Sequence, residues 1–372
     1  MRIGCPKETK TLEYRVGLVP GSVRELVHNG HEVTMETGAG LGIGFDDSAF
    51  EAAGARIAGT ASELFEHAEM IVKVKEPLAP ERKMLREGQV LFTYLHLAAD
   101  RDQTRELLAS GVTAIAYETV TGADGGLPLL APMSEVAGRM SIQVGAHFLE
   151  KENGGAGVLL GGVPGVAAGK VVIIGGGVAG RNAARMAMGL EANVTVLERS
   201  LPKLDELDTL YGGQINTLYS TVDAAERAIT DADLVVGAVL LPGAAAPRVV
   251  TRDMLRAMRP GSVVIDISID QGGCFETSRP TDHANPTFVE EGIVHYCVTN
   301  MPGAVPRTSA FALNNATLPF VLRIADKGAK WALNDDPHLM DGLNVHAGKV
   351  TYEAVARDLE LDYTPPERAL AA

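Results

Sequence analysis

The sequence predicts an α/β fold of two domains, each with a mostly parallel sheet flanked by helices. Three observations predict it. Short β-branched apolar runs alternate with helical stretches over most of the chain, the pattern of repeated βαβ units. A glycine-rich strand–turn–helix stands near the middle of the chain, at Lys170 to Ser200. At 372 residues the chain exceeds one ordinary compact core, so two domains are the natural division.

The first α/β segment runs from Met1 to about Leu129. Arg2 to Cys5 opens it as a strand, and Ser22 to Asn29 reads as a helix stopped by Gly30. Glu32 to Glu36 is the next strand, followed by the glycine-rich loop Gly38 to Gly44. Ser48 to Ala53 and Ala61 to Glu66 read as helices. Met70 to Lys75, Val90 to Leu97 and Val112 to Tyr117 read as strands, the first closed by Glu76-Pro77. The loop Thr121 to Met133 is dense in Gly and Pro and reads as a connection between domains. A long helix from Ser134 to Glu150 is expected to bridge the two bodies, with Ser134 as its N-cap and no capping box.

Val171 to Ile174 then forms a buried strand, and Gly175, Gly177 and Gly180 give the G-x-G-x-x-G spacing. A helix over Arg181 to Leu190 follows, and a second strand, Val194 to Leu197, ends in Glu198. The first glycine permits the tight turn, the second lets a pyrophosphate approach the backbone, and the third lets helix and strand pack closely. The helix N-terminus favours the phosphates. This is the fingerprint of a Rossmann-type dinucleotide-binding domain. Glu198 at the end of the second strand accepts hydrogen bonds from a ribose 2′-hydroxyl. A 2′-phosphate there meets a like charge, at roughly 4 kcal/mol before screening for a separation of about 4 Å. NAD is therefore expected over NADP. Arg199 and Lys203 are the counterweight, since cations there suit a 2′-phosphate.

Further strands are expected at Ile215 to Ser220, Leu234 to Val239, Ser262 to Ile267 and Ile293 to Thr299, which makes six in this domain. From Phe311 the chain turns helical and is too small to form a core alone, so it is expected to complete the first domain. The boundaries become residues 1–132 and 302–372 for a discontinuous substrate domain, and 133–301 for the NAD-binding domain inserted in it. The tail from Pro365 is expected to be mobile.

The net charge of −14 argues against nucleic acid or an anionic membrane surface as partner. No apolar run reaches eighteen residues, so no membrane span is expected. The N-terminal segment lacks the pattern of a secretory signal. Cys5, Cys274 and Cys297 show neither zinc spacing nor a disulfide framework, which fits a reducing cytoplasm.

In open parallel sheets, ligands bind outside the carboxyl ends of strands. In the first domain Lys75 and His96 end the runs IVKVK and VLFTYLH. Lys73 shares a strand face with Lys75, and one of the two is expected to be only a solvated end charge. In the second domain Asp270 lies just past a strand end, in a glycine turn that can approach a cofactor. Asp266 reads as structural.

The segments IGCPKETKTLEYRVGLVP, IVKVKEPL, YLHL, IIGGGVAG, DISIDQGG and HYCVTNMPG occur in this order along the chain. Together they resemble the family of NAD-dependent L-alanine dehydrogenases, over essentially the whole chain. The N-terminal half also resembles the NAD-binding subunit of proton-translocating transhydrogenase. The resemblance implies that Arg15 and Lys75 bind the substrate carboxylate, that His96 is the general acid/base and that Asp270 is the second catalytic residue. For NAD it implies Ser134, Val178, Ala179, Glu198, Lys203, Ser220, Val239, Leu240, Ile267, Ser268, Ile269, Arg279, Val298 and Met301, with Asn300 beside them. Where some members carry a Glu and His metal pair, this chain has Arg323 and Lys327, so no metal is expected there.

The implied reaction is reversible oxidation of L-alanine to pyruvate and ammonia with NAD⁺. Hydride leaves Cα, water adds to the iminium with help from His96 and Asp270, and ammonia departs. Histidine suits the role because its ordinary pKa of about 6.5 lets it give and take a proton near neutrality. The two domains are expected to close over the cofactor. The expected partners are these small molecules and further copies of the chain, a hexamer by resemblance. Two other readings remain: a transhydrogenase component, which needs a membrane partner, and a non-enzymatic NAD sensor, which does not need Arg15, Lys75, His96 and Asp270.

Overall fold

The structure is a computed structural model that describes residues 1–239 and 246–371. In chain order the first strands are β1 (Arg2–Cys5), β2 (Glu32–Glu36), β3 (Arg56–Ala58), β4 (Met70–Val72), β5 (Val90–Thr93) and β6 (Thr113–Ala116). Next come β7 (Lys170–Ile174), β8 (Asn193–Glu198), β9 (Asn216–Tyr219), β10 (Leu234–Gly237), β11 (Val263–Asp266), β12 (Thr287–Glu290) and β13 (Ile293–Tyr296). The last are β14 (Leu343–His346) and β15 (Lys349–Val350). The chain divides into two compact units, Met1–Met133 with Val305–Ala372, and Ser134–Ala304.

The first unit holds an eight-stranded sheet in the order β15-β14-β6-β5-β4-β1-β2-β3. β1 to β6 pair in parallel, and β14 joins β6 antiparallel. β4, β5 and β6 are buried along their whole length, which is why their sequences are largely apolar rather than alternating, with only Thr93 and Thr113 polar. On one face Leu64, Phe65, Leu107 and Val355 pack against Ile71, Leu91 and Ala114 of the sheet. The helix Arg101–Ser110 begins where the Asp100 side chain accepts the Gln103 N–H and ends at Gly111 in the left-handed region. The order reverses between β1 and β4, so the loops that follow these two strands flank a topological switch point.

The second unit holds a seven-stranded sheet in the order β12-β13-β11-β10-β7-β8-β9. It is parallel except for β12, an antiparallel edge strand. The reading of six strands is therefore one short. β12 is half-exposed and polar at both ends, so it lacks the apolar run that marks a buried strand. The switch point lies between β7 and β10.

Several element boundaries differ from expectation. The long helix spans Ala131–Phe148, so Ser134 lies in its first turns and is not its N-cap. Pro132 fits that first turn, where a helix has no use for its missing N–H. β4 stops at Val72, so Lys73 and Lys75 lie in the turn beyond it. β3, the helix Arg101–Ser110, β14 and β15 are elements beyond those expected.

Candidate active site

Four adjacent strands of the first unit deliver the candidate substrate residues. Arg15 follows β1, Lys73 and Lys75 follow β4, His96 follows β5, and Glu118 follows β6, each past the carboxyl end.

Arg15 is buried, at 3% exposure. Its Nε donates to Glu13 Oε1 at 2.7 Å and its Nη2 to Glu13 Oε2 at 2.6 Å. Its Nη1 faces Met133 Sδ at 3.0 Å. Burial opposes the charge, but the hydrogen bonds and charge of Glu13 outweigh it and raise the Arg15 pKa. The edge of the guanidinium formed by Nε and Nη2 is thus taken by Glu13. The segment carrying Arg15 fits closely into its unit. A Cβ at Gly42 would meet Tyr14 O at 2.3 Å, and one at Gly17 would meet Val72 O at 2.6 Å. Arg307 fixes the neighbouring glycine loop by donating to Ile43 O at 2.6 Å.

Lys75 is half-buried, and its ammonium makes no hydrogen bond or ion pair among the described residues. Burial lowers its pKa, opposed by the charges of Glu76 and Glu13 and aided by those of Arg15 and Lys10. Glu76 itself is paired with Lys10. An ammonium that is half-buried and unbonded, beside an Arg15 already paired with Glu13, has hydrogen-bonding capacity that an anion can fill. Lys73 corrects the expectation of a solvated end charge. Its side chain is 0% exposed and paired with Glu8 and Glu81, because its turn sends it into the unit rather than out to solvent.

His96 has φ 51° and ψ 41°, a left-handed conformation that costs a residue with a Cβ about 1–3 kcal/mol. The Glu118 carboxylate accepts the His96 N–H at 2.6 Å and the Leu95 N–H at 3.1 Å, which holds the turn. The imidazole lies parallel to the Tyr94 ring, 6.0 Å between centroids, and is 47% exposed. Tyr94 is fixed by donating to Leu129 O at 2.6 Å. Sequence reasoning missed Glu13, Glu118 and Tyr94. Glu13 was detectable two residues before Arg15, whereas Glu118 required knowing that β6 lies beside β5.

The candidate cofactor residues gather at strand ends of the second unit. Each fingerprint glycine has a distinct physical reason. Gly175 has φ 101°, and a Cβ there would meet Ala238 O at 2.6 Å. A Cβ on Gly180 would lie 1.8 Å from Gly175 O, so only glycine lets the helix Val178–Gly189 sit on β7. A Cβ on Gly177 would meet nothing within 4 Å, so this side of the backbone is open. An open N–H-lined helix start fits a pyrophosphate. Val178 and Ala179 form the first helical positions, half-exposed. Glu198 accepts N–H bonds from Gly176 at 2.7 Å, Arg199 at 2.7 Å and Ser200 at 2.9 Å. Burial opposes its charge, but these donors, Gly176 foremost, hold its pKa below the ordinary value. Lys203 is exposed and near enough to favour that charge.

Ser220 follows β9 and Val239 follows β10. Leu240 lies outside the described residues. Ile267, Ser268 and Ile269 follow β11, with the Ser268 hydroxyl donating to Val239 O at 2.7 Å. Asp270 stands exposed in the turn Ile269–Gln271. Arg279 lies over the Phe288 ring at 4.0 Å. Val298, Asn300 and Met301 follow β13, with Val298 and Met301 buried. Ser134 is half-buried on its helix. That helix approaches the fingerprint helix so closely that a Cβ at Gly138 would lie 2.1 Å from Ala179 O.

Asp266 is buried and accepts from Ser268 N, Cys274 N and the Ser278 hydroxyl, consistent with a structural carboxylate that shapes the Asp270 loop. Arg323 pairs with Asp336 and Lys327 with Asp335. No helix among the described residues is long and apolar enough to cross a membrane.

Comparison with known proteins places both units. Residues 4–137 match the N-terminal domain of the alanine dehydrogenase/PNT family, and residues 141–353 match its C-terminal domain. The chain is 61% identical over 363 residues to the alanine dehydrogenase of Halomonas elongata, covering 98% of each chain. It is 56% identical to that of Bacillus subtilis, covering 100% of this chain and 98% of the relative. A solved L-alanine dehydrogenase superposes with a TM-score of 0.94 at 52% identity, over 97% of this chain and 99% of the other. The transhydrogenase from Sinorhizobium meliloti superposes with a TM-score of 0.82 at 25% identity, over 95% and 100%.

Proposed function

The chain belongs to the alanine dehydrogenase/PNT family, and from that premise we propose how its residues carry out reversible oxidative deamination of L-alanine to pyruvate and ammonia. It is an oxidoreductase that acts on alanine with a nicotinamide cofactor. The proposal adds that the cofactor is NAD and assigns the roles.

The observation that carries the reading is the Lys75 ammonium, half-buried and unbonded beside an Arg15 locked by Glu13. That pair suits a small carboxylate, and each charged hydrogen bond would contribute about 1.5–3 kcal/mol. His96, with its ring exposed and its backbone held by Glu118, moves a proton at the substrate oxygen or amino group. Asp270 orients the water that adds to the iminium and stabilises the developing charge.

The pyrophosphate is taken by Gly175, Gly177, Gly180, Val178 and Ala179, and the adenosine ribose by Glu198, with Lys203 beside it. Ser134, Ser220, Val239, Leu240, Ile267, Ser268, Ile269, Arg279, Val298, Asn300 and Met301 complete the cofactor set. When bound, the nicotinamide supplies the hydride acceptor. NAD is favoured because Glu198 is held ionised by three backbone donors and would repel a 2′-phosphate. The reading also carries a cytoplasmic protein that assembles into a homo-oligomer, a hexamer by resemblance, which light scattering tests.

The deciding experiment is absorbance of reduced cofactor at neutral to alkaline pH with a panel of L-amino acids and either NAD⁺ or NADP⁺. Alanine with NAD⁺ should give the highest kcat/KM. Preference for NADP⁺, or for an amino acid with a long side chain, would refute it.

A further inference from the structure

Lys73, Glu8 and Glu81 are three buried charged groups that the reaction does not use. The Lys73 Nζ donates to Glu81 Oε1 at 2.7 Å and to Glu8 Oε2 at 3.3 Å, with side-chain exposures of 0%, 2% and 7% for Lys73, Glu8 and Glu81. The remaining oxygen of each carboxylate is bonded to the backbone of one short turn. Glu8 Oε1 accepts the Val74 N–H at 2.7 Å and the Lys75 N–H at 3.3 Å. Glu81 Oε2 accepts the Leu78 N–H at 2.7 Å. Each carboxylate therefore has one oxygen on Lys73 and the other on the turn of residues 73–78. β5 adds three bonds at the start of the turn, the Thr93 hydroxyl to Lys75 O at 2.9 Å, the Lys73 N–H to Phe92 O at 3.2 Å and the Tyr94 N–H to Val74 O at 3.3 Å, and leaves residues 76–78 to the carboxylates.

Burying three charges is a weak route to stability, since apolar residues of similar volume often serve as well. What apolar residues cannot do is accept backbone N–H groups. The turn held in this way carries Lys75 and nothing else of evident chemical use. We propose that Glu8 and Glu81, held by Lys73, are positioning residues that fix the turn presenting the Lys75 ammonium to the substrate carboxylate. The proposal rests on the reading of Lys75 as a carboxylate-binding residue. It also gives a physical role to Glu8 in the opening segment IGCPKETK, which lies 67 positions before Lys75.

The test compares two charge-free triple variants of the full-length enzyme. Glu8→Gln/Lys73→Met/Glu81→Gln keeps amide oxygens that can accept the turn's N–H groups. Glu8→Leu/Lys73→Met/Glu81→Leu cannot. Pyruvate KM, kcat at saturation, NADH affinity by fluorescence and melting temperature are measured for both. The glutamine variant should keep pyruvate KM within about threefold of the parent, and the leucine variant should raise it about tenfold or more with NADH affinity unchanged. In a Lys75→Ala background the leucine variant should raise KM no further, because the residue it positions is gone.

Equal KM for the two triples, or an undiminished rise in the Lys75→Ala background, would overturn the proposal. Should the leucine triple not fold, Glu8→Met/Lys73→Met is compared with Glu8→Gln/Lys73→Met, with the same deciding outcomes. If Lys75→Ala alone leaves pyruvate KM unchanged, the fault lies in the underlying role of Lys75, and the proposal falls with it.

Discussion

Glu13 grips Arg15 with both carboxylate oxygens, Oε1 on Nε at 2.7 Å and Oε2 on Nη2 at 2.6 Å, and both side chains are buried. The pair fixes where the guanidinium points before any substrate arrives. Glu13→Ala removes both carboxylate oxygens from the buried Arg15 guanidinium. Urea denaturation should show a loss of about 3–5 kcal/mol, the typical result of breaking a buried pair from one side. Pyruvate KM should rise as well, because the guanidinium of Arg15 is no longer held in place. A variant as stable as the parent would show that Arg15 finds another partner.

His96→Ala should lower kcat by about 10²–10⁴, the usual contribution of a general acid or base, while NAD affinity by fluorescence stays unchanged. Glu118→Ala should lower kcat less, because it frees the His96 and Leu95 N–H groups without removing the imidazole. Unchanged kcat in His96→Ala would remove this side chain from the chemistry.

The pH dependence of substrate binding follows from Lys75. Burial first, then Arg15 and Lys10, lower its pKa from the ordinary lysine value of 10.5, so in the free enzyme its ammonium loses its proton at lower pH than an exposed lysine does. Carboxylate binding should weaken as pH rises through that lowered value, and pyruvate KM measured on the alkaline side should climb before pH 10.5. The sign for stability is opposite. Between the lowered value and 10.5 the unfolded chain holds the proton and the folded one does not, so this residue makes folding more favourable as pH rises. Lys75→Met should flatten both trends.

Two glycines of one motif should fail in different ways. Gly180→Ala puts a Cβ 1.8 Å from Gly175 O, a backbone contact that cannot give way, so the melting temperature should drop sharply. Gly177→Ala enters open space and should cost stability only about 1 kcal/mol as a poorer N-cap. It should nonetheless weaken NAD binding, because the methyl occupies the path of the pyrophosphate. Calorimetry and cofactor titration on the two variants separate these outcomes.

Glu198→Gln removes the charge set against a 2′-phosphate and keeps an amide oxygen for the ribose. The ratio of kcat/KM for NAD⁺ to that for NADP⁺ should fall, up to the roughly 4 kcal/mol ceiling set by charges at about 4 Å and an effective dielectric near 20. An unaltered ratio would move cofactor choice to Arg199 and Lys203.

Much of this was legible in the sequence because burial on both faces writes parallel strands as apolar runs. β4, β5, β7, β10 and β11 were readable for that reason, and so were the polar residues that end them. The edge strands β3 and β12 carry no such run, and β14 and β15 are short pieces in a segment dominated by helices. Lys73 was misread because period-two alternation was extended past Val72, where the strand has already ended. Glu8 and Glu118 act on Lys75 and His96 across 67 and 22 positions of chain, and no local pattern reports contacts of that span. The spacing of the three glycines was legible, since at Gly175 and Gly180 it records two close backbone approaches.

The antiparallel seat of β14 against β6 joins Leu343 to Ile115 and Val345 to Ala114. A polypeptide emerging from the ribosome finishes β6 long before β14 exists, with the whole Ser134–Ala304 unit synthesised in between. During that interval β6 has a bare flank of N–H and C=O groups, the kind of edge that recruits strands from other chains. Newly made chains should therefore be most prone to aggregate while the second unit is being translated, and the N-terminal unit should reach protease resistance only after Leu343–Val350 has appeared.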